Sequence, residues 1–184
     1  MYKEVEIKAK LTDPAKTLKL LANFGIEFGP PIHQHDKIFS PRDLEDFGAF
    51  HQGISFLRVR RQDDDAFFTL KKSELNELES TEIETKVSDP EATENIIREV
   101  GYVFSTEVRK TRRKAKHNDT ELCYDEVEDL GTFIELERIM EMGSDVEKAQ
   151  GELFEFLKQF GVDEADRVTK GYDTLMLTLA DSKQ

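Results

Sequence analysis

The chain has 184 residues, 38% of them hydrophobic and 35% charged, and its 13 Phe with plentiful Leu, Ile and Val suffice for a core, which excludes wholesale disorder. Asp and Glu outnumber Lys and Arg by 39 to 26, and the resulting charge of −13 repels phosphate backbones, which argues against a nucleic-acid-coating role. One cysteine, Cys123, excludes an internal disulfide and a Cys-rich zinc site, and no apolar run approaches the roughly 18 residues of a membrane span.

Met1-Tyr2-Lys3-Glu4 has no apolar signal core, so the cytoplasm is the expected location. Residues 4–11 alternate strictly between charged and apolar side chains, which predicts a strand. Asp13-Pro14 opens a helix, with Asp as N-cap and Pro in the first turn; Leu18, Leu21 and Phe24 form its apolar stripe and Gly25 ends it. Residues 41–53, with Phe47 and Phe50, read as a loop. Strands follow at 54–61 and 66–72 around the turn Asp63-Asp64-Asp65. Residues 82–87 are again a strand. Ser88 and Glu91 are spaced as a capping box, Ile96, Ile97 and Val100 carry the stripe, and Gly101 stops the helix. Strands at 108–115, 121–127 and 132–139 are separated by His117-Asn118-Asp119 and Asp129-Leu130-Gly131. A third helix spans 144–160, with Ser144 and Glu147 as its capping box and Val146, Ala149, Leu153, Phe156, Leu157 and Phe160 on its buried face. A short closing helix is expected over 169–180. No linker rich in Pro, Gly or Ser interrupts the chain, so 1–184 reads as one domain.

An offset of 76 residues superposes Glu6, Ile7, Lys10, Asp13, Pro14, Thr17, Gly25 and Phe28 on Glu82, Ile83, Lys86, Asp89, Pro90, Thr93, Gly101 and Phe104, eight identities in 23 positions without a gap. Shared capping residues would explain part of this. The match of Glu6-Ile7 with Glu82-Ile83 lies outside the caps and favours a duplicated strand–helix–strands unit with pseudo-twofold symmetry.

The charges of each strand keep to one parity. Glu4, Glu6 and Lys8 oppose Val5, Ile7 and Ala9; Arg58 and Arg60 alternate with Leu57 and Val59; Lys71, Lys110 and Arg112, Asp125, and Glu135 and Glu137 continue the pattern. A single antiparallel strand is ordinarily wet on one face, which would explain any one of these. The whole set, with amphipathic helices available to cover the apolar faces, fits an α+β fold in which the sheet closes into a barrel and the charges line its lumen. Clustered Lys and Arg bind phosphate oxygens, and clustered carboxylates bind a hard cation such as Mg²⁺ or Mn²⁺. A metal bridging carboxylates and a polyphosphate is the usual device of phosphoryl chemistry.

These residues resemble the motifs of the CYTH superfamily, the triphosphate tunnel metalloenzymes. Glu4-x-Glu6-x-Lys8 is similar to its ExExK motif, and His35-Asp36-x-x-Phe39, Leu57-Arg58-x-Arg60, Thr69-x-Lys71, Lys110-x-Arg112, Asp125, Leu130-Gly131-x-Phe133-x-Glu135-x-Glu137 and Gly171-Tyr172-x-x-Leu175 follow in order. The chain looks most like the class IV adenylyl cyclase (CyaB-like) branch. The resemblance implies a closed eight-stranded antiparallel β-barrel, open as a tunnel, with surrounding helices. It implies a nucleoside triphosphate or other triphosphate held by Lys8, Arg58, Arg60, Lys71, Lys110 and Arg112. It also implies Mg²⁺ or Mn²⁺ held by Glu4, Glu6, Asp125, Glu135 and Glu137, with Glu6 and Glu135 as direct ligands. Lys72-Ser73 stands where the branch often has Gly-Pro, and Gly171 replaces the serine before Tyr172. Adenylyl cyclase is the leading activity, triphosphatase the alternative, and a non-catalytic polyphosphate- or nucleotide-binding module the competing class. The absence of Trp argues against an animal-type thiamine triphosphatase. A triphosphate is the expected partner; neither nucleic acid nor membrane is, and a homodimer is left open.

Four features are read conservatively. His33 and His35 are taken as surface or tunnel-mouth side chains, since oxygen ligands suffice for the metal. Cys123 has no base beside it in the sequence pattern and reads as packing. The basic run 109–116 splits on a strand into Lys110 and Arg112 on one face and Arg109 and Arg113 on the other, solvated, face. Asp63-Asp64-Asp65 lacks calcium-loop spacing and reads as a turn.

Overall fold

A computed structural model describes residues 2–45, 51–73 and 75–182; Phe47 and Phe50 of the expected loop lie outside the described residues. The elements run β1 (Tyr2–Lys10), α1 (Pro14–Asn23), β2 (Ile32–Pro41), β3 (Ser55–Gln62), β4 (Asp65–Ser73), β5 (Glu79–Lys86), α2 (Pro90–Glu99), β6 (Tyr102–His117), β7 (Thr120–Val127), β8 (Gly131–Glu141), α3 (Val146–Lys158), the two-residue β9 (Arg167–Val168) and α4 (Tyr172–Ser182). Strand–helix–three strands is therefore written twice, as β1–β4 with α1 and β5–β8 with α2. The copies also match locally. Asp13 accepts from the Lys16 amide and Asp89 from the Ala92 amide, at 3.1 and 2.9 Å, and Gly25 and Gly101 both turn the chain at positive φ, 91° and 95°.

The strands hydrogen-bond in the order β5-β4-β3-β2-β6-β7-β8-β1, and a β5–β1 pairing completes a closed eight-stranded antiparallel barrel with four helices around it; β9 adds to β1. This order is unchanged when β1–β4 are exchanged with β5–β8, as the duplication requires.

The chain forms two compact units, each combining the strand–helix start of one repeat with strands of the other. The first comprises Met1–Pro31 and Thr111–Thr169. Its core joins Ile7 and Ala9 of β1, Leu122 and Tyr124 of β7, and Ile134 and Leu136 of β8 to Leu21 of α1 and Leu153, Phe154 and Leu157 of α3. Each Leu, Ile or Phe among them contributes roughly 1.5–3 kcal/mol by leaving water. The second comprises Ile32–Lys110 and Lys170–Gln184, with Phe39, Leu57 and Val59 packed on Ile97 of α2.

Several details differ from the sequence reading. The caps of α2 and α3 are Asp89 and Asp145 rather than Ser88 and Ser144; Asp145 accepts from the Lys148 amide at 3.0 Å. In each case a carboxylate one residue later reaches the third helical amide. Only Ile97 of the expected α2 stripe is buried, while Ile96 and Val100 are exposed, because the inward position goes to Glu94, whose two oxygens accept from Lys37 at 2.9 Å. Phe24 of the α1 stripe is half exposed, its ring edge on His117, Phe156 and Phe160. On α3, Phe154 and Gln150 join the buried face.

Candidate functional site

In the first unit β1 is buried on both faces. Val5, Ile7 and Ala9 are at most 1% exposed, yet Glu6 and Lys8 on the opposite parity are only 7% and 1% exposed. A wet outer face does not account for this. The register explains the company these charges keep: Glu6 lies opposite Glu137 and Lys8 opposite Glu135 across β1–β8, while Glu121 and Cys123 lie opposite Glu137 and Glu135 across β7–β8. Directly opposed residues of an antiparallel pair project to the same face, so the strands converge their acids on one spot. Carboxylate oxygens of Glu4, Glu6 and Glu137 all lie within 4.8 Å of one another.

Lys8 Nζ reaches Glu135 Oε1 at 3.2 Å and Glu6 Oε1 at 3.4 Å. Arg112 organises the remainder. Its Nε and Nη2 donate to the two oxygens of Asp125 at 2.7 and 2.6 Å, Nη2 also donates to Glu135, and Nη1 donates to Glu137 at 3.3 Å. Four of its five N–H donors thus end on carboxylates. Asp125 is fully buried. Burial opposes the charge on Arg112, but Glu135 and Asp125 outweigh it and raise its pKa further. Glu137 goes the other way: burial, together with the nearby Glu135 and Glu6 charges and against the pull of Arg112, pushes its carboxyl up to about 7. Five carboxylates against two cations, all with oxygen donors, form a group suited to a hard divalent cation.

The second unit holds the opposite balance, with Arg58, Arg60, Lys71 and Lys110 beside Asp36, Glu82 and Glu84. Asp36 lies opposite Arg60 across β2–β3 and accepts a two-pronged bond from its Nε and Nη2, both at 2.7 Å; Lys110 Nζ is 3.8 Å from the same carboxylate. Burial would raise the Asp36 pKa, but Arg60 and then Lys110 hold it well below the usual carboxylate range. Lys71 lies opposite Glu82 across β4–β5 and meets its Oε1 at 3.2 Å; Arg58 Nη2 meets Glu82 Oε2 at 3.2 Å. Burial of Glu82 is outweighed by Lys71 and Arg58, which bring it down to about 2. Thr69 donates to Glu84 at 2.8 Å and accepts from Arg58 at 3.3 Å. Lys110 Nζ also sits 5.0 Å from the centre of the buried Tyr172 ring, a cation–π contact.

His35 Nε2 pairs with Glu107 at 2.8 Å, and no histidine joins a three-ligand group among the described residues. Cys123 is buried 3.8 Å from Glu121 Oε1, and burial pushes its thiol well up, against a nucleophilic role. Arg109 and Arg113 are exposed while Lys110 and Arg112 are buried, as the parity predicted. Asp63 takes the turn at φ 48° and accepts from the His33 amide at 3.1 Å. Sequence reasoning gave Asp36 no role. Its place in His35-Asp36-x-x-Phe39, on a strand facing Arg60, was the available signal.

Matching the CYTH domain over residues 2–172, the chain belongs to the CYTH family, an enzyme superfamily of the tunnel fold that binds triphosphate substrates. A Methanocaldococcus jannaschii protein named "putative adenylate cyclase" is 32% identical over 171 residues, 92% of this chain and 95% of that one. Among solved structures, the PH1819 protein of Pyrococcus horikoshii shares the fold with a TM-score of 0.79 at 24% identity, over 96% of this chain and 99% of the other. A Hippeastrum protein described as a "putative adenylyl cyclase" with a dominant triphosphatase activity shares it with a TM-score of 0.59 at 21% identity, over 93% and 91% of the two chains. No helix among the described residues is long and apolar enough to cross a membrane.

Proposed function

We propose that the chain is a divalent-metal-dependent enzyme acting on a nucleoside triphosphate, with conversion of ATP to cyclic AMP and pyrophosphate as its leading reaction. The observation that carries this reading is the division of the buried and half-buried charges of the strands into an acid-rich group and a base-rich group. Family membership and the cyclase name of the 32% identical relative support it.

In this reading Glu4, Glu6 and Glu137 hold Mg²⁺ or Mn²⁺, on the mutual proximity of their oxygens. Bound there, the ion would supply positive charge to phosphate oxygens. Asp125 and Glu135 serve mainly to fix Arg112 and Lys8, whose nitrogens they accept from. Lys8, Arg58, Arg60, Lys71 and Lys110 are assigned to triphosphate oxygens, with Arg112 contributing its remaining donor. Asp36 and Glu82 hold the basic side chains in place until an anion competes for them. Cyclisation requires the ribose 3′-oxygen to attack the α-phosphorus, forming the new P–O bond as pyrophosphate leaves. Fixing the phosphate chain by several bases at once favours such an in-line geometry.

Triphosphatase activity, with water attacking the γ-phosphorus, is the second reading, because the fold is shared with the Hippeastrum protein. Incubation of ATP, of other nucleoside triphosphates and of tripolyphosphate with the protein and Mn²⁺ or Mg²⁺, followed by chromatography of the products, tests the proposal. Cyclic AMP supports the lead. ADP alone supports the hydrolase, and unchanged ATP, other nucleotides and tripolyphosphate would refute both.

A further inference from the structure

The two repeats differ in what covers their first strand. β8 leads into α3, which packs Leu153 and Leu157 into one core with Ile7 and sets Phe156 and Phe160 against Phe24 of α1. β4, the counterpart of β8, leads directly into β5, so the second repeat has no such helix. The 76-residue offset places Ile83, Ile96 and Val100 where the first repeat has Ile7, Leu20 and Phe24. Ile7 is 1% exposed and Leu20 packs on the same core, whereas Ile83, Ile96 and Val100 are 66%, 62% and 64% exposed. The three lie on one side of the second unit. Glu94 and Arg98 of α2 reach Lys37 and the Phe39 ring of β2, so the opposite edge of the helix, with Ile96 and Val100, looks towards β4 and β5. Ile83 lies opposite Leu70 across β4–β5, and Leu70 packs on the core beneath α2, so Ile83 is on the helix side of the sheet. Ala92, also exposed, continues the row four residues before Ile96. α2 is therefore apolar along two edges, one turned inward with Ile97 and one bare.

We infer that this face is the contact between two copies of the chain, with α2 of each copy lying antiparallel on α2 of the other and covering its Ile83, as α3 covers Ile7 within the first repeat. A twofold contact needs a surface that complements itself, and this one does. An antiparallel crossing centred on Ile96 sets that residue against Ile96 of the second copy and the small Ala92 against the larger Val100. It also opposes the helix dipoles, and it brings the first turn, with Glu91, towards the last turn of the other helix, with Arg98. A parallel crossing would set like ends together. The apolar row itself carries no charge, so contact there does not bring the acidic side chains of two bodies at −13 directly together. The area sets the strength. α2 and the strip of β4 and β5 beside it, each about 10 Å wide, offer on the order of 500 Å² per copy. Two copies then bury about 1,000 Å², the lower limit for a specific interface, so the dimer is weak and its Kd micromolar.

The test is sedimentation velocity of the full chain from low to high micromolar concentration, comparing wild type, Ile96→Glu and Ile139→Glu. Ile139 is an equally exposed apolar residue, 63%, in the first unit. Wild type and Ile139→Glu should pass from the 21.2 kDa monomer to twice that mass as concentration rises. Ile96→Glu should keep the circular dichroism of wild type and associate at least about tenfold more weakly, since it buries a charge at the centre of the contact. A second readout locates the face: under mild oxidation Ile96→Cys should form a covalent dimer and Ile139→Cys should not, Cys123 being buried in both. A wild type that stays monomeric throughout overturns the inference and leaves the face to another protein. A dimer that survives Ile96→Glu, or that Ile139→Glu weakens equally, overturns it as well.

Discussion

Replacing Asp36 by Asn removes the counter-charge that holds Arg60 and Lys110 in the second unit. The three side chains are 5%, 11% and 5% exposed, and Asp36 accepts both prongs of the Arg60 guanidinium at 2.7 Å. Breaking a buried ion pair by neutralising one partner costs about 3–5 kcal/mol. Asn retains one acceptor oxygen, which places the cost near the lower end, about 3 kcal/mol. At about 2–4 °C per kcal/mol for a chain of this size, the melting temperature should fall by about 6–12 °C near pH 7. The penalty also has a defined pH dependence. The Asp36 pKa is depressed in the fold, so the pair's contribution is fully present above the unfolded carboxylate value, about 3.9, and is lost as pH falls towards the lower folded value. Wild type and Asp36→Asn should therefore differ less and less as pH falls below the unfolded value, converging only as it approaches the depressed folded one. A bound anion must compete with Asp36 for Arg60 and Lys110 in wild type but not in the variant. Tripolyphosphate should accordingly raise the melting temperature of Asp36→Asn more than that of wild type. Scanning calorimetry with and without tripolyphosphate measures both effects. A variant as stable as wild type at pH 7 refutes the energetic argument. Equal ligand-induced shifts refute the view that Asp36 occupies the place of phosphate.

Three further substitutions probe the acid-rich group. Glu6→Gln should lower Mn²⁺ affinity at least about tenfold, read from the electron paramagnetic resonance of free Mn²⁺, with the circular dichroism spectrum retained; unaltered affinity would remove Glu6 from the metal set. Because the Glu137 carboxyl sits near 7 in the fold, above its unfolded value, its ionisation destabilises the metal-free protein progressively as pH rises from about 4.5 to 7. Glu137→Gln should therefore match wild type at about pH 4 and exceed it at about pH 8 in EDTA, and a gap independent of pH would contradict this. Asp125→Asn should destabilise the chain by about 3 kcal/mol or more by loosening the Arg112 fork, while changing Mn²⁺ affinity less than Glu6→Gln does; the reverse order would make Asp125 a metal ligand rather than a support.

The sequence carried the sheet's chemistry further than its edges. Parity alone separated Lys110 and Arg112 from Arg109 and Arg113, because a strand can only alternate. The 76-residue offset anticipated the repeated elements, since Asp-Pro and a terminal Gly begin and end α1 and α2 in the same way. Long-range pairing was not legible. No local pattern says that Asp36 faces Arg60, that Glu94 rather than Ile96 turns inward, or that Asp125 is absorbed by Arg112, because these follow from register between strands and from which helix face meets a sheet. The grouping of Glu4 and Glu6 with Glu137, while Glu135 goes to Lys8 and Arg112, likewise needed three strands in place. The caps misread as Ser88 and Ser144 are a smaller case, in which two good cap residues stand side by side and geometry chooses the aspartate.

The most direct test of the central claim is phosphorus NMR of ATP incubated with the purified chain and Mg²⁺ in water enriched in oxygen-18. Attack by the ribose 3′-oxygen consumes no water, so the account predicts cyclic AMP and pyrophosphate in equal amounts, neither carrying label. Labelled orthophosphate with ADP and no cyclic AMP would contradict it and assign the chain to triphosphate hydrolysis.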